Sequence, residues 1–314
     1  MPMIRLSIII PFYNVEQYIA QCLDSVYNQD IPEEEYEVIC VDDCGPDNSI
    51  AIVEQYAKKH SNLIVVHNEE NRKLGGARNA GMEVASGKYV WYIDSDDFIE
   101  PNVFGRLLGE MEKNDLDVLH FNYEWYPDRN NPDNHRVADT EIMTGTGMFF
   151  DKRFVWFHDL VTAWRKLYRR SFLLEHNIVF AEHIMFEDND YAIRVFADAK
   201  RVKHISLNAY SYRSNPESIT HVNHTDKHVF YWLDLAHRLV RIKDEFGKSN
   251  KDFRFQSLLD GFIRFEISNT LKVYDTIDVK YKSAAKNVIR KSVDVSLRKY
   301  MSKSKYIRIK LGVF

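Results

Sequence analysis

The feature that most restricts how this chain can fold is a pattern repeated near its start: a short apolar run, a break, then apolar residues at helical spacing. Residues 4–10, 36–41, 63–67 and 89–93 are the apolar runs, rich in β-branched and aromatic side chains. That is the composition of buried strands. After the first run, Pro11-Phe12-Tyr13-Asn14 breaks the pattern, and Asn14 is a suitable N-cap for a helix over 15–28. Val15, Tyr18, Ile19, Cys22, Leu23 and Val26 would form its buried face. Ile52, Val53, Tyr56 and Ala57 repeat the arrangement after the second run, and residues 74–81 open a helix after the third. Strands alternating with helices across short loops predict an α/β fold, with a mostly parallel sheet, right-handed crossovers and flanking helices. A helix over 102–114, with Pro101 at its start, and a fifth strand over 117–123 extend it.

Two of the runs end in acids. The second stops at Asp42-Asp43 and the fourth at Asp94-Ser95-Asp96-Asp97. Aspartate is a poor strand former and is rarely buried unpaired, so each strand ends where its acids begin. Parallel neighbours put their C-terminal ends on one edge, where open α/β sheets bind ligands. Both acidic groups can then face one cleft. Carboxylate oxygens suit hard cations that bridge to a phosphate, which points to a metal–diphosphate site. The alternative is a solvated Asp-rich turn. A third acidic group, Glu187-Asp188-Asn189-Asp190, precedes apolar residues at helical spacing. Acids are favoured at a helix N-terminus in any case, and a general base would be placed similarly.

A net charge of −4 gives no reason to expect a nucleic-acid partner. Cys22, Cys40 and Cys44 are odd in number and lack a Cys-x-x-Cys pair, so a reducing, cytoplasmic setting without structural zinc is expected. Cys22 and Cys40 fall on apolar faces and read as core residues. No apolar run reaches the length of a signal peptide or membrane span. Residues 127–139 read as an exposed polar loop, either a lid or acceptor loop or a variable surface excursion. Residues 162–175 mix aromatics and cations, as a helix with a wet basic face or an acceptor or phosphate contact would.

Beyond residue 220 the sequence turns helical, with runs at 227–246, 253–274 and 279–300, so a domain over 1–220 and a helical region over 221–314 are expected. Residues 280–314 hold eleven basic side chains against one acid, Asp294, a net of +10, which leaves −14 for everything before them. One reading is a peripheral membrane contact with anionic lipid at the inner face. The other is a solvated appendage that docks on the acidic remainder.

Five motifs in order carry a family resemblance. Residues 7–14 (SIIIPFYN), Val41-Asp42-Asp43 with Asp47 and Ser49, Ala77-Arg78-Asn79-x-Gly81, Asp94-Ser95-Asp96-Asp97 and Glu187-Asp188 resemble glycosyltransferase family 2 enzymes with the GT-A fold, across about residues 4–220. Residues 164–171 and 212–219 are similar to bacterial polysaccharide-building members. The resemblance implies inverting transfer of a hexosyl or N-acetylhexosaminyl group. The donor would be a nucleotide-sugar, a UDP-sugar by preference, the acceptor a saccharide or lipid-linked saccharide hydroxyl, and the cofactor Mn²⁺ or Mg²⁺. By it, Pro11, Tyr13 and Asn14 with Asp42 hold the nucleoside, Asp43 lies close by, and Arg78 sits near the diphosphate. Asp94 touches the ribose and Asp96 holds the metal, with His221 as a further ligand. Asp188, or else Glu187, is the base. Cys44 and Lys73 depart from the pattern, since both stand where the family commonly has glycine.

Two other classes compete. A nucleotidyltransferase would place a Gly-rich basic loop where Pro11-Phe12-Tyr13-Asn14 stands. A non-catalytic nucleotide- or glycan-binding module would have little use for acids at every expected position.

Overall fold

The computed structural model describes residues 3–131, 136–155, 159–215, 224–249 and 252–312. Two compact units emerge, Met1–His183 with Tyr191–Asn215, and Ile184–Asp190 with Pro216–Phe314. The first holds the sheet. Its elements in order are β1 (Leu6–Phe12), α1 (Ile19–Tyr27), β2 (Tyr36–Asp42), α2 (Ser49–Ala57), β3 (Leu63–His67), α3 (Lys73–Val84), β4 (Tyr89–Tyr92), β5 (Phe98–Ile99), α4 (Phe104–Lys113), β6 (Val118–Tyr126), α5 (Gly145–Phe150), β7 (Lys166–Arg169), α6 (Arg170–Glu175), α7 (Glu187–Asp198) and β8 (Val202–Arg213). The first turn of α7 belongs with the second unit.

The eight strands lie in the order β3-β2-β1-β4-β7-β6-β8-β5. β1 is parallel to both β2 and β4, β2 to β3, and β6 to β8. β7 runs antiparallel to β4 and β6, and the two-residue β5 antiparallel to β8. The expected α/β class and mostly parallel sheet stand. One apolar layer packs α1 and α4 against one face through Leu23, Val26, Leu107 and Trp91. On the other, Ile9, Val41, Ala77, Ala80, Tyr92 and Tyr191 meet. Gly81 is a requirement of this packing, because a methyl group there would lie 2.4 Å from Ile9 Cγ2. Cys22 and Cys40 are buried, as expected.

Several local expectations change. Pro11 does not end β1. It is paired in register with Val41, and the strand runs on to Phe12. Asn14 does not cap α1, which starts at Ile19; Asn14 is instead left-handed, φ 56°. Asparagine tolerates that region because its short polar side chain can bond locally. α4 begins at Phe104 rather than at Pro101, because Asn102 also turns left-handed, φ 56°. Residues 162–175 do not form a wet basic helix. Arg165 and Lys166 are fully buried where β7 begins, and Arg165 pairs with the equally buried Asp159 at 2.8 Å. A buried cation survives only when paired and hydrogen-bonded. Accordingly the Arg165 guanidinium also donates to the Phe121 carbonyl at 2.7 Å. The far end of the 127–139 loop is not a free excursion either, since Val137 is buried and exchanges two hydrogen bonds with Asn122.

The second unit is helical, with α8 (Asp226–Ser249), α9 (Phe253–Thr276), α10 (Val279–Ser292), α11 (Val295–Arg298) and α12 (Lys303–Leu311). Asp252, Asp278, Asp294 and Ser302 cap the N-termini of α9 to α12 with side-chain oxygens. Glu266 sits on the buried face of α9 at 2% exposure, and its Oε2 has no hydrogen-bond partner among the described residues. Burial pushes this carboxyl up to about 8. An unfolded glutamate loses its proton near pH 4.3. Between these values the folded state holds the extra proton, so stability falls as pH rises, by on the order of a few kcal/mol by pH 9. Glu266→Gln removes the titration. Denaturant unfolding at pH 5.5 and 8.5 should show the variant's transition less pH-dependent than the wild type's. Equal pH dependence in both would show that Glu266 is not the group responsible.

Candidate active site

The C-terminal edge of β2, β1 and β4 gathers the acids that the sequence singled out in the first unit. Asp42 ends β2 opposite Phe12 of β1. β4 flanks the other side of β1, with Tyr92 opposite Ile9. Asp42 and Asp94 therefore stand on either side of β1, two strand spacings or roughly 10 Å apart.

Loops bond these ends together. Gly45 lies against the turn after β1, such that a methyl group on it would sit 3.2 Å from the Asn14 nitrogen and 3.5 Å from Tyr13 Cα. Asp42 Oδ1 accepts from the Gly45 amide at 3.2 Å. Glu16 and Asn48 donate amides to Asp47 and Glu16 respectively, stapling the two loops. Tyr13 is half exposed at the rim, while Asp42 is only partly exposed. Asp43 is buried. Its Oδ1 accepts from the Asn68 side chain at 2.8 Å and from the Arg72 amide at 2.9 Å, so Asp43 fixes the loop leading into α3.

That loop and α3 set the next layer. Arg72 grips Glu182 through Nε and Nη2, at 3.2 and 2.7 Å. Asn79 exchanges hydrogen bonds with the Phe180 backbone, each at 3.0 Å, and also donates to Glu182. Arg78 points inward. Its side chain is 1% exposed, pairs with Asp94 at 2.7 Å and lies 5.1 Å over the Phe180 ring. Arg78 thus fixes the position of the Asp94 carboxylate.

The four-residue acid loop is tied to β8 by residues to which the sequence reading gave no role. Tyr210 accepts the Asp94 amide at 3.2 Å and donates its hydroxyl to Asp97 at 2.8 Å. The Arg213 amide donates to Asp97 Oδ1 at 2.7 Å, and its guanidinium donates to the Asp96 carbonyl at 2.7 Å and to Gln21 at 2.6 Å. Tyr18, Phe98 and Tyr126 surround that guanidinium, with ring centroids 5.1 to 5.5 Å away. Asn215 donates to Asp96 Oδ2 at 3.2 Å. Burial beside Asp96 and Asp94 raises the Asp97 carboxyl well above the usual carboxylate range. Asp97 is thus a structural anchor. Tyr212-Arg213 stood out in the sequence, but its partner lies more than a hundred residues away.

Asp96 differs from its neighbours. Its carboxylate takes a neutral amide and forms no ion pair among the described residues, the Arg213 guanidinium being bonded to its main-chain carbonyl. Mg²⁺ and Mn²⁺ are bound by one or two carboxylates plus substrate phosphates and water. Among the described residues no three His, Cys, Asp or Glu side chains converge into a ready cage. The donor chemistry at Asp96 therefore fits a cation shared with a diphosphate. His221, the expected additional ligand, lies outside the described residues.

Glu187 and Asp188 open α7 within the second unit. Phe186 before them is left-handed, φ 65°, and stacks on Trp232 with centroids 3.9 Å apart. An aromatic residue in that region costs on the order of 1–3 kcal/mol and persists only where its surroundings impose it. Asp190 pairs with Arg238, which also holds Asp234 at 2.9 Å.

The model of Glycosyl transferase family 2 matches residues 7–176. The chain belongs to this family. Among curated relatives, the uncharacterized glycosyltransferase EpsJ of Bacillus subtilis (strain 168) is 36% identical over 224 residues, covering 69% of this chain and 63% of EpsJ. The chain spans less than two thirds of the length of the curated relatives it matches first. The crystal structure of Staphylococcus aureus TarS 1–349 in complex with UDP-GlcNAc superposes with a TM-score of 0.73 at 21% identity, covering 99% of this chain and 88% of that one. The mannosyltransferase PcManGT from Pyrobaculum calidifontis, in complex with GDP-Man and Mn²⁺, superposes with a TM-score of 0.55 at 15% identity over 98% and 86%. These likenesses establish the family 2 GT-A fold.

Proposed function

We propose that this protein is an inverting glycosyltransferase. It would move a hexosyl or N-acetylhexosaminyl group from a UDP-sugar to a hydroxyl of a saccharide or lipid-linked saccharide, with Mn²⁺ or Mg²⁺ bound at Asp96. Residues 1–220 would be the donor-binding catalytic domain. The observation that carries this is the placement of Asp42 and the Asp94–Asp97 loop on one sheet edge, astride β1. Roughly 10 Å suits a nucleotide laid across that strand. The TarS complex supports a uridine nucleotide and the PcManGT complex a divalent cation.

In this reading the Asp42 carboxylate accepts from the nucleoside, beside Pro11, Tyr13 and Asn14 and with Asp43 bracing the loop. Asp94, held by Arg78, meets the ribose. When bound, the cation supplies charge neutralisation to the departing diphosphate. Asp188 takes the proton of the acceptor hydroxyl, which is a poor nucleophile until that proton leaves. Glu187 is the alternative base. One base with no carboxylate nucleophile makes the reaction a single displacement, which inverts the anomeric centre.

The test is nucleotide release from UDP-glucose, UDP-GlcNAc and GDP-mannose with and without Mn²⁺, alongside thermal shifts with UDP. We expect UDP to stabilise the protein by about 2.7 kcal/mol at a hundredfold excess over its Kd, and a UDP-sugar to be consumed with Mn²⁺. Neither binding nor consumption of any donor would end the proposal. Pyrophosphate release from UTP and a sugar phosphate would replace it with a nucleotidyltransferase.

A further inference from the structure

We infer that the second unit carries a docking face for an anionic phospholipid surface, built by α10 to α12 and independent of the active-site reading. Three observations carry it. First, much of the positive charge of α10 to α12 has no acidic partner among the described residues. Lys299 faces Asp244 at 4.0 Å and the acid of the stretch, Asp294, faces His237 at 3.4 Å. Lys280, Lys286, Lys291, Lys303 and Lys305 have no acidic partner among the described residues.

Second, cations converge where α12 folds back on α10. Lys310 donates from Nζ to the Arg290 carbonyl at 2.9 Å. A methyl group on Gly312, itself left-handed at φ 69°, would lie 3.0 Å from Lys286 Cε and 3.2 Å from Arg290 Cδ. The C-terminal dipole of α10 favours some positive charge there. Three side chains of one sign in one place exceed that need, and their mutual repulsion is relieved by an external anion.

Third, apolar side chains protrude among the cations. On α12, Ile309 is buried and anchors the helix, while Lys303, Ile307 and Leu311, spaced by four, share a face on which Ile307 is 44% and Leu311 69% exposed. Val279 and Val295, the first residues of α10 and α11, are also largely exposed. A soluble polyanion would need the cations alone. Cations mixed with protruding aliphatic side chains are the composition of a helix that lies in a bilayer interface. No described helix is long and apolar enough to cross a membrane.

The test is sedimentation of the full chain with phosphatidylcholine vesicles, with and without phosphatidylglycerol. We expect partitioning at least about tenfold stronger onto the anionic vesicles, since each basic residue near the surface adds to the attraction, with added salt weakening it. The double variant Ile307→Ser/Leu311→Ser should lower partitioning on the order of tenfold and leave the melting temperature unchanged. Lys303→Glu/Lys305→Glu should abolish the lipid preference. Equal binding to both vesicle types overturns the inference. So does tight binding of soluble polyphosphate combined with vesicle binding that the Ile307/Leu311 variant leaves intact, which would mark the face as a polyanion site.

Discussion

Asp96→Asn should lower turnover of the UDP-sugar by about 10²- to 10³-fold, the usual loss when one preorganised electrostatic contact to the leaving group is removed. The substitution is chosen for its restraint. Asparagine keeps the size of the side chain and an oxygen for the Asn215 amide, so the loop stays clamped to β8 by Tyr210, Arg213 and Asn215. What disappears is the charge that no cation of the described protein uses. Thermal unfolding should match the wild type, UDP should still bind weakly, and the stabilisation that Mn²⁺ adds to UDP binding should vanish. Wild-type turnover at saturating Mn²⁺ would remove Asp96 from the mechanism. Asp97→Asn makes the contrast, because that carboxyl is buried and committed to Tyr210 and the Arg213 amide; its loss should appear mainly in the melting temperature.

Asp188→Asn should reduce kcat by about 10²- to 10⁴-fold, the range that general-base catalysis supplies, with the Kd for UDP unchanged. Asparagine cannot take the acceptor's proton, and Asp188 makes no contact with the nucleotide in the proposed mechanism. If Glu187→Gln gives the larger loss, the base is Glu187. If neither variant moves kcat, the proton is taken elsewhere. Asp190→Asn serves as control, since it removes one of the two carboxylates that Arg238 holds and should act on stability.

What the sequence made legible was whatever local composition controls. Strands β1, β2 and β4 were visible because each is buried on both sides and so almost continuously apolar, and the half-exposed β3 because its β-branched run survives at the sheet's edge. The acids of the first unit were visible because they sit where such runs stop. What stayed hidden depends on partners distant along the chain. Arg165 and Lys166 looked like a wet surface, since nothing local announces that Asp159 and the Phe121 carbonyl await them in the interior. That Arg78 also holds Asp94 and lies over Phe180 could not be read locally, since both partners lie elsewhere along the chain. Asn14 had the chemistry of a helix cap and was used for a left-handed turn, a choice made by the close approach of Gly45. The two-residue β5 carries too few residues to show a period.

Cys44 and Lys73, the two departures from the family pattern, have φ of 63° and 64°. Both therefore keep the left-handed backbone that glycine adopts without penalty, although for other residues it costs roughly 1–2 kcal/mol. At these two bends the main chain takes a course that glycine would follow freely, yet each carries a side chain. A thiol and an ammonium group stand exposed on these turns, so each bend offers solvent a reactive or charged group as well as main chain.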